Sequence, residues 1–171
     1  MSFLKSNKVL YHPDRFKQWM ETGDTTAPVN VKIDLTNVCN HNCPGCTGFG
    51  MIPISEVYGD RLDFESLYNT LGQLKDAGVK GINYTGGGEP TLYKQFEKVI
   101  DRTHELGLEI GLITNGGAFQ RFDMEKMLHK FLWIRVSLDS YDQESHSMTH
   151  GSKAKFQLTI DNMKNLASIK K

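Results

Sequence analysis

Strand-like and helix-like segments alternate along most of this chain, and this alternation limits the possible folds more than any other feature. Strands are predicted at 31–36, 81–85, 108–114 and 132–139. Helices are predicted at 10–23, 63–77, 93–106, 123–130 and 152–169. Strands that alternate with helices run parallel and are joined by right-handed crossovers. The sequence therefore predicts an α/β fold built on a parallel sheet.

The predicted helices have apolar stripes and recognisable ends. Asp63 is predicted to cap the second helix and Gly78 to end it. The residues predicted to face the core are Phe64, Leu67, Leu71 and Leu74 in the second helix, Phe96, Val99, Ile100 and Thr103 in the third, and Phe156, Ile160 and Met163 in the last. Each of these helices is expected to cover the sheet.

The predicted strands have one apolar and one polar face. In the first strand, Val31 and Ile33 alternate with Lys32 and Asp34. Parallel strands covered on both faces are instead apolar almost throughout. An ordinary sheet with one solvated face would also give this pattern. We favour a partial TIM-like (β/α) barrel with a polar inner face, because the polar motifs follow the carboxyl ends of the strands, where such barrels place their sites.

The chain has three cysteines, Cys39, Cys43 and Cys46, and all of them lie just after the first predicted strand. Thiolates ligate iron–sulfur clusters and zinc. Three thiolates on one loop suit a four-iron cluster whose fourth iron stays open for chemistry. Structural zinc normally has four protein ligands, and His41 is a candidate for the fourth. Zinc therefore remains the alternative.

Polar and glycine-rich turns follow the other three strands. Gly86, Gly87 and Gly88 lead into Glu89 after the second strand. Such turns often bind phosphate, but the Glu89 carboxylate would repel phosphate and suits an ammonium group. A tight chain reversal without any ligand would need the same glycines.

The third strand ends in Thr114 and Asn115, and the fourth ends in Ser137 and Asp139. Hydroxyl, amide and carboxylate groups at one edge of a sheet suit a ribose or another small polar ligand. Turn capping by Asn115 and Asp139 explains these residues equally well.

Together these motifs resemble the radical S-adenosylmethionine (radical SAM) superfamily, from about residue 29 to the end of the chain. The resemblance is carried by Cys39-x-x-x-Cys43-x-x-Cys46, by Gly-Gly-Glu-Pro at 87–90, by Thr-Asn-Gly at 114–116 and by Val-Ser-Leu-Asp at 136–139. It implies an enzyme whose three cysteines hold a [4Fe–4S] cluster. One electron from the cluster would cleave S-adenosylmethionine, and the resulting 5′-deoxyadenosyl radical would abstract hydrogen from a substrate.

The resemblance also implies roles for the other motifs. The residues expected to hold the methionine ammonium group are Gly87, Gly88 and Glu89. Those expected near the adenosyl part are Thr114, Asn115, Ser137 and Asp139. The expected substrate is a peptide, a cofactor precursor or another small molecule, and the expected electron donor is a flavodoxin or a ferredoxin. The alternative is a non-catalytic module that holds a cluster or zinc.

Two features depart from the family pattern. Gly45 stands where many members have an aromatic residue near the adenine, so we expect weaker cofactor binding than in those members. The chain also supplies about four of the six strand–helix units of the family core. We expect an N-terminal helix and lead-in over 1–28 and an incomplete core domain over 29–171. The chain is then expected to be a fragment or one part of a split protein, in which a partner chain or a second copy would cover the open edge.

The composition argues against several other classes of protein. The 20 basic and 20 acidic residues give a net charge of +0, which offers no electrostatic attraction to nucleic acid. No apolar run approaches the roughly 18 residues of a membrane-spanning helix, and the first residues do not resemble a signal peptide. Three clustered cysteines fit poorly with a disulfide framework. We expect a cytoplasmic protein that binds neither nucleic acid nor membrane.

Overall fold

The structure, a computed structural model, describes residues 12–23, 27–46 and 61–169. Its strands are β1 (Asn30–Asp34), β2 (Gly81–Thr85), β3 (Glu109–Thr114) and β4 (Trp133–Val136). They form one sheet in the order β1-β2-β3-β4, and each neighbouring pair is parallel. The predicted α/β class is confirmed. The last strand is shorter than the range predicted from the sequence.

The helices in the described ranges are α1 (Pro13–Thr22), α2 (Phe64–Asp76), α3 (Phe96–Glu105), α4 (Met124–Met127), α5 (Gln143–His150) and α6 (Phe156–Ile169). Short 3-10 turns span Pro90–Leu92, Phe119–Arg121 and Leu128–Lys130. Residues 10 and 11 of the first predicted helix lie outside the described residues. None of the described helices has the length and apolar content that crossing a bilayer requires.

Helix α2 has the ends that the sequence predicts. The Asp63 carboxylate accepts a hydrogen bond from Ser66 N at 2.9 Å, which satisfies one of the free N–H groups of the first turn. Beyond the helix, Gly78 has a φ of 91°, a left-handed conformation that favours glycine. The Asp63 cap therefore sets the start of this helix, and the left-handed backbone at Gly78 sets its end.

Helix α5 was not expected from the sequence. Its residues, Gln143–His150, include no regular apolar stripe. Its start is nevertheless encoded by Asp142, whose side chain accepts from Ser145 N at 2.8 Å in a capping box. The Asp142 cap is therefore a local signal for this helix, whereas apolar periodicity gives none.

The hydrophobic core lies between one face of the sheet and helices α2 and α3. A row of apolar side chains crosses the sheet at Ile33, Tyr84, Leu112 and Ile134. The helices bury the predicted residues Leu67, Leu71, Phe96, Val99, Ile100 and Thr103. The Tyr84 hydroxyl lies 2.6 Å from Thr103 Oγ1, which satisfies both buried groups. Each fully buried aliphatic side chain contributes about 1.5–3 kcal/mol.

The opposite face of the sheet is polar and more accessible. Lys32, Asp34 and Arg135 are exposed, and Asn83 and Thr85 are half-buried. On this face the indole ring of Trp133 packs directly over Gly111. A Cβ at Gly111 would lie 2.3 Å from Trp133 Cζ2, so a larger residue would clash with the ring. The predicted separation into an apolar and a polar face is confirmed.

The predicted buried face of helix α6 is wrong. Phe156, Ile160 and Met163 are only partly buried, whereas Thr159 and Asn162 are buried. Asn162 Nδ2 donates to Gly116 O at 2.7 Å. A polar side chain is buried here because it satisfies a backbone carbonyl of the turn after β3, a contact that apolar periodicity does not reveal.

Candidate functional site

The turns after β1, β2 and β3 meet at the carboxyl edge of the sheet. Glu89 N donates to Val38 O at 2.8 Å. The backbones approach so closely at Gly88 that a Cβ there would lie 2.4 Å from Val38 O and 2.6 Å from Thr36 O. No side chain fits between these two turns. Gly88 therefore has a steric role, whatever it contributes to ligand binding.

The Glu89 carboxylate is buried at the centre of this edge, with 2% of the residue exposed. Its Oε1 accepts from Thr91 N (3.1 Å), Thr91 Oγ1 (2.6 Å) and Thr114 Oγ1 (2.6 Å). Its Oε2 accepts from Asn115 N at 2.7 Å. Burial raises the pKa of Glu89, and these hydrogen bonds oppose that rise. A carboxylate can accept about four hydrogen bonds. Oε2 accepts one from the described residues, so it can accept another from a ligand.

Asn115 joins the turn after β3 to the loop after β1 that contains the three cysteines (residues 35–46, the cysteine loop). Its Nδ2 lies 2.8 Å from Asn40 Oδ1 and 3.8 Å from Cys39 Sγ. Its Oδ1 accepts from Gly117 N at 2.8 Å. Asn115 thus contacts Glu89 through its backbone and the cysteine loop through its side chain.

The three cysteines are free and half-buried. Cys39 Sγ accepts from His41 N at 3.4 Å, and Cys46 N donates to Cys43 O at 3.1 Å. Burial raises the pKa of Cys39 to about 11, and burial followed by the neighbouring Cys46 also raises the pKa of Cys43. Metal binding must therefore displace protons from these thiols. Three thiols on one loop, with hydrogen-bond donors aimed at sulfur, fit the ligand set of an iron–sulfur cluster.

Three histidines lie packed together beside the cysteine loop. His41, His146 and His150 are buried, and their ring centroids are 4.5 to 5.9 Å apart. Burial, followed by the charges of His150 and His146, lowers the pKa of His41 to about 4. Burial also lowers the pKa of His146. His41 and His146 are therefore uncharged at neutral pH.

The sequence indicated His41 as a candidate zinc ligand. It did not indicate that His146 and His150 lie beside His41 in the fold. These two histidines are four residues apart, a spacing that puts them on one face of a helix. The Asp142 cap would have predicted that helix. No local signal, however, pairs α5 with the loop after β1.

The cysteine loop is held against the end of α5 by backbone contacts. Asn42 N donates to His150 O at 3.3 Å. Gly151 has a φ of 83°, and a Cβ there would lie 2.2 Å from Asn42 Oδ1. Where the loop meets α5, Cys43 Sγ lies 3.7 Å from His150 Nδ1. The loop is therefore supported by Asn115 on one side and by α5 on the other.

The remaining predicted residues lie around the same edge. Ser137 is half-buried, and its N donates to Thr114 O at 2.8 Å. The exposed Asp139 places Oδ2 at 3.8 Å from His150 Nε2. Gly87 is half-buried, with Asn37 Oδ1 3.9 Å from the position of a Cβ, and nothing lies within 4 Å of a Cβ at Gly45. The structure brings the predicted residues to one edge; their contacts with a cofactor stay predictions.

Comparison with known families identifies a match over most of the chain. The family model described as the Radical SAM superfamily matches residues 33–170. Among curated proteins, the sporulation killing factor maturation protein SkfB of Bacillus subtilis (strain 168) is 26% identical over 145 residues, which is 84% of this chain and 34% of SkfB.

A second relative is a probable GTP 3′,8-cyclase of Pyrococcus abyssi (strain GE5 / Orsay). It is 28% identical over 123 residues, which is 71% of this chain and 38% of that protein. The chain therefore spans about a third of the length of these two relatives.

Solved structures show the same fold. Streptococcus suis SuiB bound to S-adenosylmethionine has a TM-score of 0.69 and 19% identity, covering 100% of this chain and 37% of SuiB. SuiB bound to precursor peptide SuiA has a TM-score of 0.70 and 20% identity, covering 99% of this chain and 37% of SuiB. This likeness confirms the predicted fold class, a partial (β/α) barrel.

Proposed function

Because the chain belongs to the radical SAM superfamily, we propose that it binds a [4Fe–4S] cluster and S-adenosylmethionine and acts in a radical SAM enzyme. The superfamily uses both cofactors. Cys39, Cys43 and Cys46 would hold the cluster, which, once reduced by an external donor, would supply the electron that cleaves S-adenosylmethionine to methionine and a 5′-deoxyadenosyl radical able to take hydrogen from the substrate. The groups around the cysteine loop bind and orient these cofactors.

One observation carries this proposal: three turns that are far apart in the sequence are hydrogen-bonded into one unit. Glu89 N bonds to Val38 O in the cysteine loop. Asn115 bonds to Glu89 through its N and to Asn40 through its side chain. A zinc-binding loop alone would not require the buried carboxylate of Glu89 at its side.

Glu89 is proposed to bind the ammonium group of the methionine part. Thr91 and Thr114 hold Oε1, which fixes the carboxylate and leaves Oε2 with a single donor among the described residues. Burial alone raises the pKa of this carboxyl. A nearby ammonium favours the ionised form and opposes that rise. Gly87 and Gly88 leave the backbone beside it free of side chains.

Asn115, Thr114, Ser137 and Asp139 are proposed to surround the adenosyl part. Ser137 and Asp139 follow β4, next to the turn after β3 that contains Asn115. The amide of Asn115 also lies near Cys39 Sγ. The adenosyl group would therefore be placed beside the cluster, where the electron is delivered.

We propose a peptide substrate. The support comes from the relatives: SuiB has been solved with its precursor peptide SuiA, and SkfB is a maturation protein of the sporulation killing factor. A small-molecule substrate is the alternative, since the chain also resembles a probable GTP 3′,8-cyclase.

A flavodoxin or ferredoxin is the proposed electron donor, and the free thiols agree with a reducing cytoplasm.

A further strand–helix unit is proposed to cover the edge of β4. An apolar groove there is lined by Trp133, Ile134, Met163 and Leu166, and Leu132 beside it is 61% exposed. Strand edges of this kind are normally covered. A longer polypeptide, a partner chain or a second copy would supply this unit.

The proposal is tested by anaerobic reconstitution with iron and sulfide. We expect a [4Fe–4S] signature by electron paramagnetic resonance after reduction and formation of 5′-deoxyadenosine from S-adenosylmethionine. The matched control is a Cys39→Ala, Cys43→Ala, Cys46→Ala variant, which should show neither signal. A zinc-free wild-type protein that forms no cluster with iron and sulfide, yet binds zinc when zinc is added afterwards, would contradict the proposal and favour a non-catalytic zinc module.

A further inference from the structure

A second set of metal-ligating atoms lies against the cysteine loop. His41, Cys43 and His150 each offer one ligand atom, and these atoms all lie within 4.8 Å of one another. Cys43 belongs to the proposed cluster, but the two histidines do not. We propose that His41, Cys43 and His150 form a mononuclear Zn²⁺ site that competes with the iron–sulfur cluster for Cys43.

The spacing of the three atoms is close to that of a tetrahedral zinc site. Zinc–sulfur and zinc–nitrogen bonds of about 2.3 and 2.0 Å place neighbouring ligand atoms roughly 3.3–3.6 Å apart. Cys43 Sγ and His150 Nδ1 are already 3.7 Å apart. The other separations are at most 4.8 Å, so small side-chain movements complete the geometry. A water molecule would occupy the fourth position.

The site is buried and contains an unpartnered polar atom. His41 and His150 are 3% and 5% exposed. His41 Nδ1 is buried and has no hydrogen-bond partner among the residues that the structure describes. Buried polar atoms in native proteins nearly always have partners, and those without one call for an explanation such as an unseen ion. A metal ion bound through His41 Nδ1 would supply that partner.

Groups around His150 match the outer shell of a metal site. Its Nδ1 faces Cys43 Sγ, while its Nε2 accepts from Asp139 N at 3.4 Å and lies 3.8 Å from Asp139 Oδ2. With a metal on Nδ1 the ring proton would move to Nε2, which would then exchange the backbone contact for the carboxylate. A histidine that ligates metal through one nitrogen commonly presents the other N–H to a carboxylate. His146 packs against His150 with ring centroids 4.5 Å apart, and its own Nδ1 lies 2.7 Å from Ser140 Oγ. The His150 ring is thereby held in place.

This zinc site differs in its ligands from the cluster and from a zinc site made of the three cysteines. It needs neither Cys39 nor Cys46. The competition rests on the proposed cluster, in which Cys43 is a terminal ligand of one iron and is then not free to be a terminal ligand of zinc, but zinc binding itself does not rest on the cluster. Zinc bound here would hold the cysteine loop in place and keep iron out until Cys43 is released.

The test uses the metal-free chain under anaerobic conditions, with Co²⁺ as a spectroscopic substitute for Zn²⁺. A Cys39→Ala, Cys46→Ala variant lacks two cluster ligands but keeps the whole proposed site. We expect this variant to bind one Co²⁺ with tetrahedral visible bands and a single-thiolate charge-transfer band, and Zn²⁺ to displace the Co²⁺. In the same background, His150→Phe and His41→Gln should each weaken binding at least tenfold.

The matched control is His104→Phe in the same background, because His104 is an exposed histidine outside this cluster and its loss should leave binding unchanged. Circular dichroism verifies that each variant is folded. Retained Co²⁺ binding in a folded His150→Phe variant would overturn the proposal. So would binding by the wild type that disappears in the Cys39→Ala, Cys46→Ala variant, since that would place the metal on the three cysteines. A failed cluster reconstitution leaves these outcomes unaffected.

Discussion

Replacing Gly88 by alanine should destabilise the protein without touching any ionisable group. The added Cβ would lie 2.4 Å from Val38 O, and 2.6 Å from both Asn37 C and Thr36 O. Overpacking typically destabilises a protein by 1–3 kcal/mol. The atoms here belong to backbone, which cannot rotate away as a side chain can. We therefore expect the upper end, about 3 kcal/mol.

The matched control is Gly45→Ala, since nothing lies within 4 Å of a Cβ at that position. Neither Gly88 nor Gly45 has a positive φ, so the entropy lost by the unfolded chain is similar in both variants and cancels in the comparison. Gly45→Ala should leave the unfolding free energy unchanged or raise it by up to about 1 kcal/mol, because it only restricts the unfolded chain.

Urea unfolding of the metal-free protein, followed by circular dichroism, measures both variants. A loss of about 3 kcal/mol corresponds to a melting temperature lower by roughly 6–12 °C in a chain of this size. The m-value should stay unchanged, because the surface exposed on unfolding is the same. Equal unfolding free energies for the two variants would refute the steric argument and imply that the turns after β1 and β2 separate easily.

Three further predictions concern the site. Glu89→Gln should raise the dissociation constant for S-adenosylmethionine about 10- to 100-fold in calorimetry on the reconstituted protein, because a charged hydrogen bond is lost; unchanged affinity at equal cluster content would contradict the proposed ammonium contact. Gly45→Tyr should tighten the same binding, and an unchanged constant would count against packing of a ring on the adenine. In the folded, metal-free protein the pKa of His41 is lowered to about 4, so the contribution of His41 to the unfolding free energy should fall by about 2.5 kcal/mol as the pH drops from 6.5 to about 4. The His41→Gln variant should lack this fall, and equal pH profiles for the two proteins would exclude it.

Local patterns were sufficient for much of the architecture. The alternation of Val31 and Ile33 with Lys32 and Asp34 predicted which face of β1 meets the helices. Asp63 predicted the start of α2 by its capping chemistry. These inferences succeed because each depends on residues a few positions apart along one element.

Long-range contacts account for the errors and omissions. Apolar periodicity predicted that Met163 is buried, whereas the structure buries Asn162, which bonds to a carbonyl of the turn after β3. The contact between Cys43 and His150 joins residues 107 positions apart. A pairing over this distance depends on how the crossovers bring α5 to the loop after β1, and no local propensity encodes it.

The sequence by itself determined the parallel α/β class, the polar and apolar faces of the strands, and the motifs that follow the carboxyl ends of β1, β2 and β3. Only the tertiary structure decided that Glu89 is buried and held by Thr91, Thr114 and Asn115, and that three histidines pack beside the cysteine loop. The physical reason is that periodicity and capping act between neighbours in the chain. Burial and the pKa of His41, in contrast, are set by groups that meet only when the sheet and its crossovers have formed.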